Sequence, residues 1–127
     1  TDIVLNGMDV FAFAIKRPGK QLKELIEWLG LNTEIIDFLF LHQANKYINE
    51  RIRKTLKFPE SKTPYCLNDY GNVSGASIPL TMISRTSEQL SSKSNHCIGC
   101  GFGVGLSWAS MEFWIEKAII SQIVEYK

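Results

Sequence analysis

Phe38-Leu39-Phe40-Leu41 is a run of four apolar residues with no polar position among them. Such a run reads as a short buried strand, and it stands between two segments of helical spacing. Upstream, Phe11, Ile15, Pro18, Leu22, Leu25 and Leu29 recur at intervals of four and three, one stripe of a helix. Val10–Ile15 taken alone can also be read as a strand. The stripe favours helix, most firmly over Lys20–Leu29, and Pro18 is placed to kink or divide it. Asp9 suits an N-cap and Gly30 a stop. Downstream, a helix over about Gln43–Leu56 turns Ala44, Ile48, Ile52 and Leu56 inward.

The remaining segments complete an α/β pattern. Asn32-Thr33-Glu34 supplies turn residues, and Lys57 to Pro64 reads as loop. Tyr65-Cys66-Leu67 is expected to be a short strand running into the polar turn Asn68-Asp69-Tyr70-Gly71-Asn72. A third helix starts at Ser74 or Ser77, with Pro79 tolerated in its first turn. After the Ser91–Ser94 loop, His96–Gly101 and Leu106–Ile115 read as antiparallel strands around a glycine-rich bend. Ala109, Met111, Phe113 and Ile115 alternate there with Ser110, Glu112 and Trp114. Ala118–Val124 is expected to be a last strand or a short helix. Mixed strands with crossover helices predict an α/β unit.

Composition narrows the function classes. The 127 residues make one domain, and 45% hydrophobic with 21% charged residues is an ordinary globular balance. A formal net charge of +1 gives no reason to expect a nucleic-acid or membrane partner. No apolar run approaches the ~20 residues of a membrane span, and the N-terminus does not read as a signal peptide. Cys66, Cys97 and Cys100 are odd in number and too few for a disulfide framework, so a reducing, cytoplasmic setting is expected. The chain opens Thr1-Asp2-Ile3 without an initiator Met, which suggests a processed product or a piece of a longer protein.

Three motifs hold the residues suited to chemistry. His42-Gln43-Ala44-Asn45 sits where the buried strand gives way to a helix, a place where α/β folds expose reactive groups. Alone, His42 reads first as a capping or core-edge histidine. Tyr70 to Pro79 is rich in glycine and small residues that let the backbone approach a ligand, and Asn72 can donate an N–H to an oxygen. Alone, it reads first as a turn feeding a helix cap. Gly99 to Trp108 carries glycines at 99, 101, 103 and 105, fit for a tight hairpin, a bulge or backbone N–H groups aimed at an oxyanion. It does not match a dinucleotide fingerprint.

Together the three are far more specific. His-Gln-Ala-Asn, then a Gly-Asn-x-Ser-x-Ala-Ser-x-Pro segment whose Asn72 lies 30 positions after His42, then Phe-Gly-x-Gly-x-x-Trp, resembles the C-terminal signature of the ketoacyl-acyl-carrier-protein synthase III family. The match begins around Gly7-Met8-Asp9-Val10-Phe11 and spans nearly the whole chain. Elongating ketoacyl synthases are expected to show two histidines, and thiolases a second cysteine with Gly-His-Pro; neither pattern occurs here.

The resemblance implies the C-terminal half of a thiolase-like fold, a mixed sheet with packed helices, with residues 1–127 as that domain. The half bearing the nucleophilic cysteine is absent. It implies acyl-CoA and malonyl-acyl-carrier-protein as substrates, no cofactor and no metal, and a homodimer in the full-length enzyme. It implies that His42 and Asn72 donate to the malonyl thioester oxygen during decarboxylation. It further implies that the backbone N–H of Val104, where glycine is usual, serves the acyl oxyanion hole. Lys46, Arg53 and Lys57, with Glu50 between them, read as a solvated face; the resemblance implies that they dock the acidic carrier protein. Acyl transfer, quinolone or polyketide priming, or a non-catalytic interaction fragment remain open alternatives. Cys97-x-x-Cys100 is a weak redox or zinc signal with no second pair to complete four ligands, so buried strand thiols are expected.

Overall fold

The computed structural model describes residues 6–103 and 105–126. Its sheet has three strands in the order β1 (Phe38–Leu41), β2 (Ser94–Gly103), β3 (Ser107–Glu116), with β1 parallel to β2 and β2 antiparallel to β3. The four helices are α1 (Gly7–Trp28), α2 (Lys46–Thr55), the single turn α3 (Leu67–Tyr70) and α4 (Ser77–Ser92).

The apolar run at β1 is explained by two cores. Leu39 and Leu41 join Ile98, Cys100 and Phe102 of β2 against α1 and α2. Phe38 and Phe40 face the other way, with Cys97, and pack with Leu90, Ile78 and Met82 of α4. A parallel strand covered on both faces has no polar positions to spare. At Gly99 a Cβ would sit 3.2 Å from the Phe113 ring, so the missing side chain is what lets that ring lie across the sheet.

The α1 helix runs unbroken through Pro18, so the expected division does not occur. Pro18 lies on the buried face with Ala14, Gly19, Leu22 and Ile26, where packing outweighs the lost hydrogen bond. That face is rotated from the sequence stripe. Phe11 remains 37% exposed, while small Ala14 and Gly19 face inward, Gly19 against Ile52 of α2. The N-cap is Asn6 rather than Asp9, which falls in the first turn and accepts from Asn6 Nδ2 at 2.7 Å. The helix over 43–56 begins later than expected, at Lys46, with Asn45 as its cap accepting from the Ile48 N–H at 2.8 Å.

Two expected elements are corrected. Tyr65-Cys66-Leu67 is not a strand: the Cys66 N–H is taken by the Gln43 side chain, and the Cys66 carbonyl accepts from Asp69 and Tyr70, which starts α3 instead. Ala118–Val124 forms no regular element. It is held by the Ala118 N–H on the Leu90 carbonyl and by Ile120 against the second core.

The segment after α2 is pinned by one polar network. Arg53 binds both oxygens of Glu50, at 2.9 and 2.7 Å, and the Phe58 carbonyl at 2.8 Å, while the Tyr65 hydroxyl donates to Glu50 at 2.7 Å. Arg53 and Tyr65 hold the Glu50 carboxyl down from 4.5 to about 2, against the desolvation that opposes them. A depressed carboxylate stabilises the fold above its unfolded pKa and stops doing so as pH falls through the folded one. The expected outcome is a chain whose urea midpoint drops between about pH 4.5 and 2. Glu50→Gln should lower the midpoint at pH 7 and flatten that acid limb. Parallel curves for the two proteins would remove Glu50 as the cause.

Candidate active site

His42 is the first residue beyond β1. Its N–H continues the ladder to the Cys100 carbonyl at 2.9 Å, and its own carbonyl accepts from Ala44 at 3.0 Å. The ring stands edge-on to Phe102, centroids 5.2 Å apart at 90°. Half-buried there, its pKa is lowered below 6.5 by desolvation, and the Ser74 backbone opposes this. The imidazole is therefore neutral at pH 7.

Asn72 arrives from the opposite side. The α3 turn closes with the Gly71 N–H on the Leu67 carbonyl, and Gly71 at φ +66° swings the chain around, a conformation suited to glycine. Asn72 Oδ1 then accepts from the Ser74 N–H at 3.0 Å, which turns its Nδ2 amino group outward as a donor. The Ser74 carbonyl accepts from Ser77 Oγ at 2.7 Å at the start of α4. Ser74 itself sits at φ +53°, so one constrained residue lies against both His42 and Asn72.

Both side chains line one cleft of about 750 Å³. Its walls are Phe13 and Val10 of α1, Ile48, Ile78 and, from the β2–β3 bend, Gly101–Gly103, Gly105 and Leu106. The three motifs therefore converge. Val104 lies outside the described residues. Among the described lining residues Asp9 is the one formally charged group. Neutral donors in an apolar cleft suit an oxygen that gains negative charge during reaction.

Four cleft or cleft-side residues do not stand out in the sequence. Asn6 and Asp9 read only as helix-start residues, Gln43 is overshadowed by His42 beside it, and Ser74 reads as a helix cap. Helical spacing carries no signal for them, since none belongs to an apolar stripe.

The basic residues divide. Lys46 and Lys57 are exposed at the two ends of α2. Arg53, only 14% exposed at its side chain, is spent on Glu50 and Phe58. The cysteines are all fully buried and free. Burial pushes the Cys97 thiol up to about 12 and the Cys100 thiol up to about 11. Cys97 and Cys100 belong to different cores on opposite faces of the sheet, so they cannot grip one metal. Among the described residues no cluster of three metal-ligating side chains occurs, and no helix is long and apolar enough to cross a membrane.

Comparison with known proteins gives the chain's family. Residues 26–114 match the family described as 3-oxoacyl-[acyl-carrier-protein (ACP)] synthase III C terminal. Over 109 residues the chain is 41% identical to the beta-ketoacyl-[acyl-carrier-protein] synthase III of Clostridium acetobutylicum, covering 86% of this chain and 34% of that protein. The corresponding protein of Geobacillus kaustophilus is 38% identical over 109 residues, 86% of this chain and 35% of its own. The crystal structure of a 3-oxoacyl-(acyl-carrier protein) synthase from Burkholderia xenovorans superposes with a TM-score of 0.87 at 28% identity, over 93% of this chain and 34% of that one. The chain thus spans about a third of the length of the relatives it matches.

Thiols with such raised pKa values react slowly, because the thiolate is the nucleophile. Under native conditions at pH 8, iodoacetamide should leave Cys97 and Cys100 unmodified, and unfolding should expose both to alkylation. A stoichiometric native adduct mapped to either residue would contradict this placement.

Proposed function

The chain belongs to the 3-oxoacyl-[acyl-carrier-protein] synthase III C-terminal family, and from that premise we propose that it supplies the decarboxylation side of a decarboxylative Claisen condensation between acyl-CoA and malonyl-acyl-carrier-protein. The observation that carries the reading is the convergence of His42 and Asn72 on one apolar cleft, both neighboured by Ser74.

The donors act where charge builds. When malonyl thioester loses carbon dioxide, the C–C bond to its carboxylate breaks and the electron pair moves toward the thioester oxygen as an enolate. An N–H of the His42 ring and the Asn72 amide donate to that oxygen, which lowers the barrier. The enolate carbon then attacks the acyl-cysteine carbonyl, the new C–C bond forms, and the cysteine leaves as thiolate. Apolar walls exclude water, so the enolate is not quenched by a proton before it attacks.

The nucleophile lies in a portion outside these residues, since Cys66, Cys97 and Cys100 are enclosed. On this reading residues 1–127 are the C-terminal domain and hold no acyl group alone. The whole enzyme is a cytoplasmic homodimer without a cofactor. Its backbone oxyanion donor at Val104 completes the acyl site. Carrier docking falls to the exposed Lys46, at the start of α2, and Lys57, just beyond its end, rather than to Arg53.

In the full-length protein, His42→Ala or Asn72→Ala is expected to lower malonyl decarboxylation about 10²–10³-fold, the usual loss for one such donor, while intact mass shows normal acylation of the cysteine. Unchanged decarboxylation in both would sink the assignment. A second outcome concerns docking. The double substitution Lys46→Glu with Lys57→Glu should raise KM for malonyl-acyl-carrier-protein more than for malonyl-CoA, and added salt should mimic it. Equal losses with both donors would make these lysines ordinary surface.

A further inference from the structure

Gln43 is completely buried, yet it carries a carboxamide directly beside His42. A buried amide is costly unless both ends are hydrogen-bonded, and a methionine of similar size would fill the space without that demand. Both ends are used. Nε2 donates to the Leu41 carbonyl at 2.9 Å, and Oε1 accepts from the Cys66 N–H at 3.1 Å. The first bond grips the end of β1, one residue before His42. The second grips the residue that launches α3.

The chain from Cys66 to Asn72 is short and stiff. The Cys66 carbonyl accepts from Asp69 and Tyr70, the turn closes at Gly71, and Asn72 is next. Arg85 of α4 pairs with Asp69 within that turn. The Cys66 thiol meets Thr81 Oγ1 at 3.0 Å, and Thr81 in turn donates to the Ser77 carbonyl at 2.7 Å. Cys66 is therefore a junction between the His42 strand and the segment carrying Asn72. Gln43 is the side chain that ties the strand to it.

We propose that Gln43 is a positioning residue that fixes the separation of the two thioester-oxygen donors, an inference that rests on reading His42 and Asn72 as those donors. Without the amide, the Cys66 N–H loses its partner and seeks another, and α3 shifts with Asn72 at its end. Displacing one donor by about 1 Å can cost about 10²-fold in rate while leaving the substrate bound.

The test uses the full-length protein with malonyl thioester, reading decarboxylation kcat and KM, cysteine acylation by intact mass, and melting. Gln43→Met should lower kcat about 10–100-fold with KM within about 3-fold of wild type, the signature of an interaction felt mainly in the transition state. Acylation should proceed normally. Gln43→Glu keeps the size and the acceptor for Cys66 but sets a carboxylate against the Leu41 carbonyl, and it should show the same split. It provides the reading if the methionine variant does not fold. Leu90→Ala, in the core on the other face of the sheet, is the stability control and should melt earlier while keeping kcat below its melting range. Wild-type kcat in Gln43→Met, with His42→Ala and Asn72→Ala impaired, would overturn the positioning role and leave the donors standing. Wild-type kcat in all of them would overturn the donors themselves. Equal losses of acylation and decarboxylation that track melting, as in a merely loosened fold, would also overturn the positioning role.

Discussion

Complete burial of β1 is the constraint on which the rest depends. Its four residues face two cores at once, and nothing polar fits until the strand leaves the sheet. His42 is the first residue that can be polar, and its N–H still belongs to the ladder with Cys100. The residue is thereby placed by backbone hydrogen bonds of the strand end rather than by a loop. Strand geometry fixes the Cα, and Phe102 stands edge-on to the ring. A site built on a strand end in this way is held more tightly than one built on loops.

The same burial decides which chemistry the chain can and cannot supply. Desolvation depresses the His42 pKa and raises those of Cys97 and Cys100, so each group is kept neutral. For a hydrogen-bond donor, neutrality costs nothing, because an imidazole N–H serves without a full charge. For a nucleophile it is disabling, because a thiol that stays protonated does not attack. One physical effect thus leaves His42 able to donate a hydrogen bond and the buried thiols unable to act as nucleophiles.

Much of this is legible in the sequence. The apolar run, the helical segments on either side and the glycine bend give the α/β order, and motif order brings His42 and Asn72 forward together. The features that escape have particular causes. Apolar spacing misplaces the buried face of α1 by about one position because it gives no weight to Ala14 and Gly19, whose smallness permits close packing. The residues around Cys66 look like a strand because β-propensity cannot register that a distant side chain, Gln43, captures the Cys66 N–H. Ser74 escapes for a related reason. Its left-handed backbone is imposed by neighbours on two elements, and serine carries no signal for it.

The α2 helix shows how far a charge pattern can be read before structure is needed. Lys46, Arg53 and Lys57 recur on the sequence as one basic series, but equal formal charges are not equally available. Glu50 and the Phe58 carbonyl consume the Arg53 guanidinium, whose planar fork suits two carboxylate oxygens at once. Lysines have no such fork, and at the ends of α2 they remain in water. Cations in reach of solvent act at long range, a condition that Lys46 and Lys57 meet, while Arg53 holds the loop that leads toward Cys66. One formal series thus divides into exposed charges and a structural brace, a division that only the folded chain reveals.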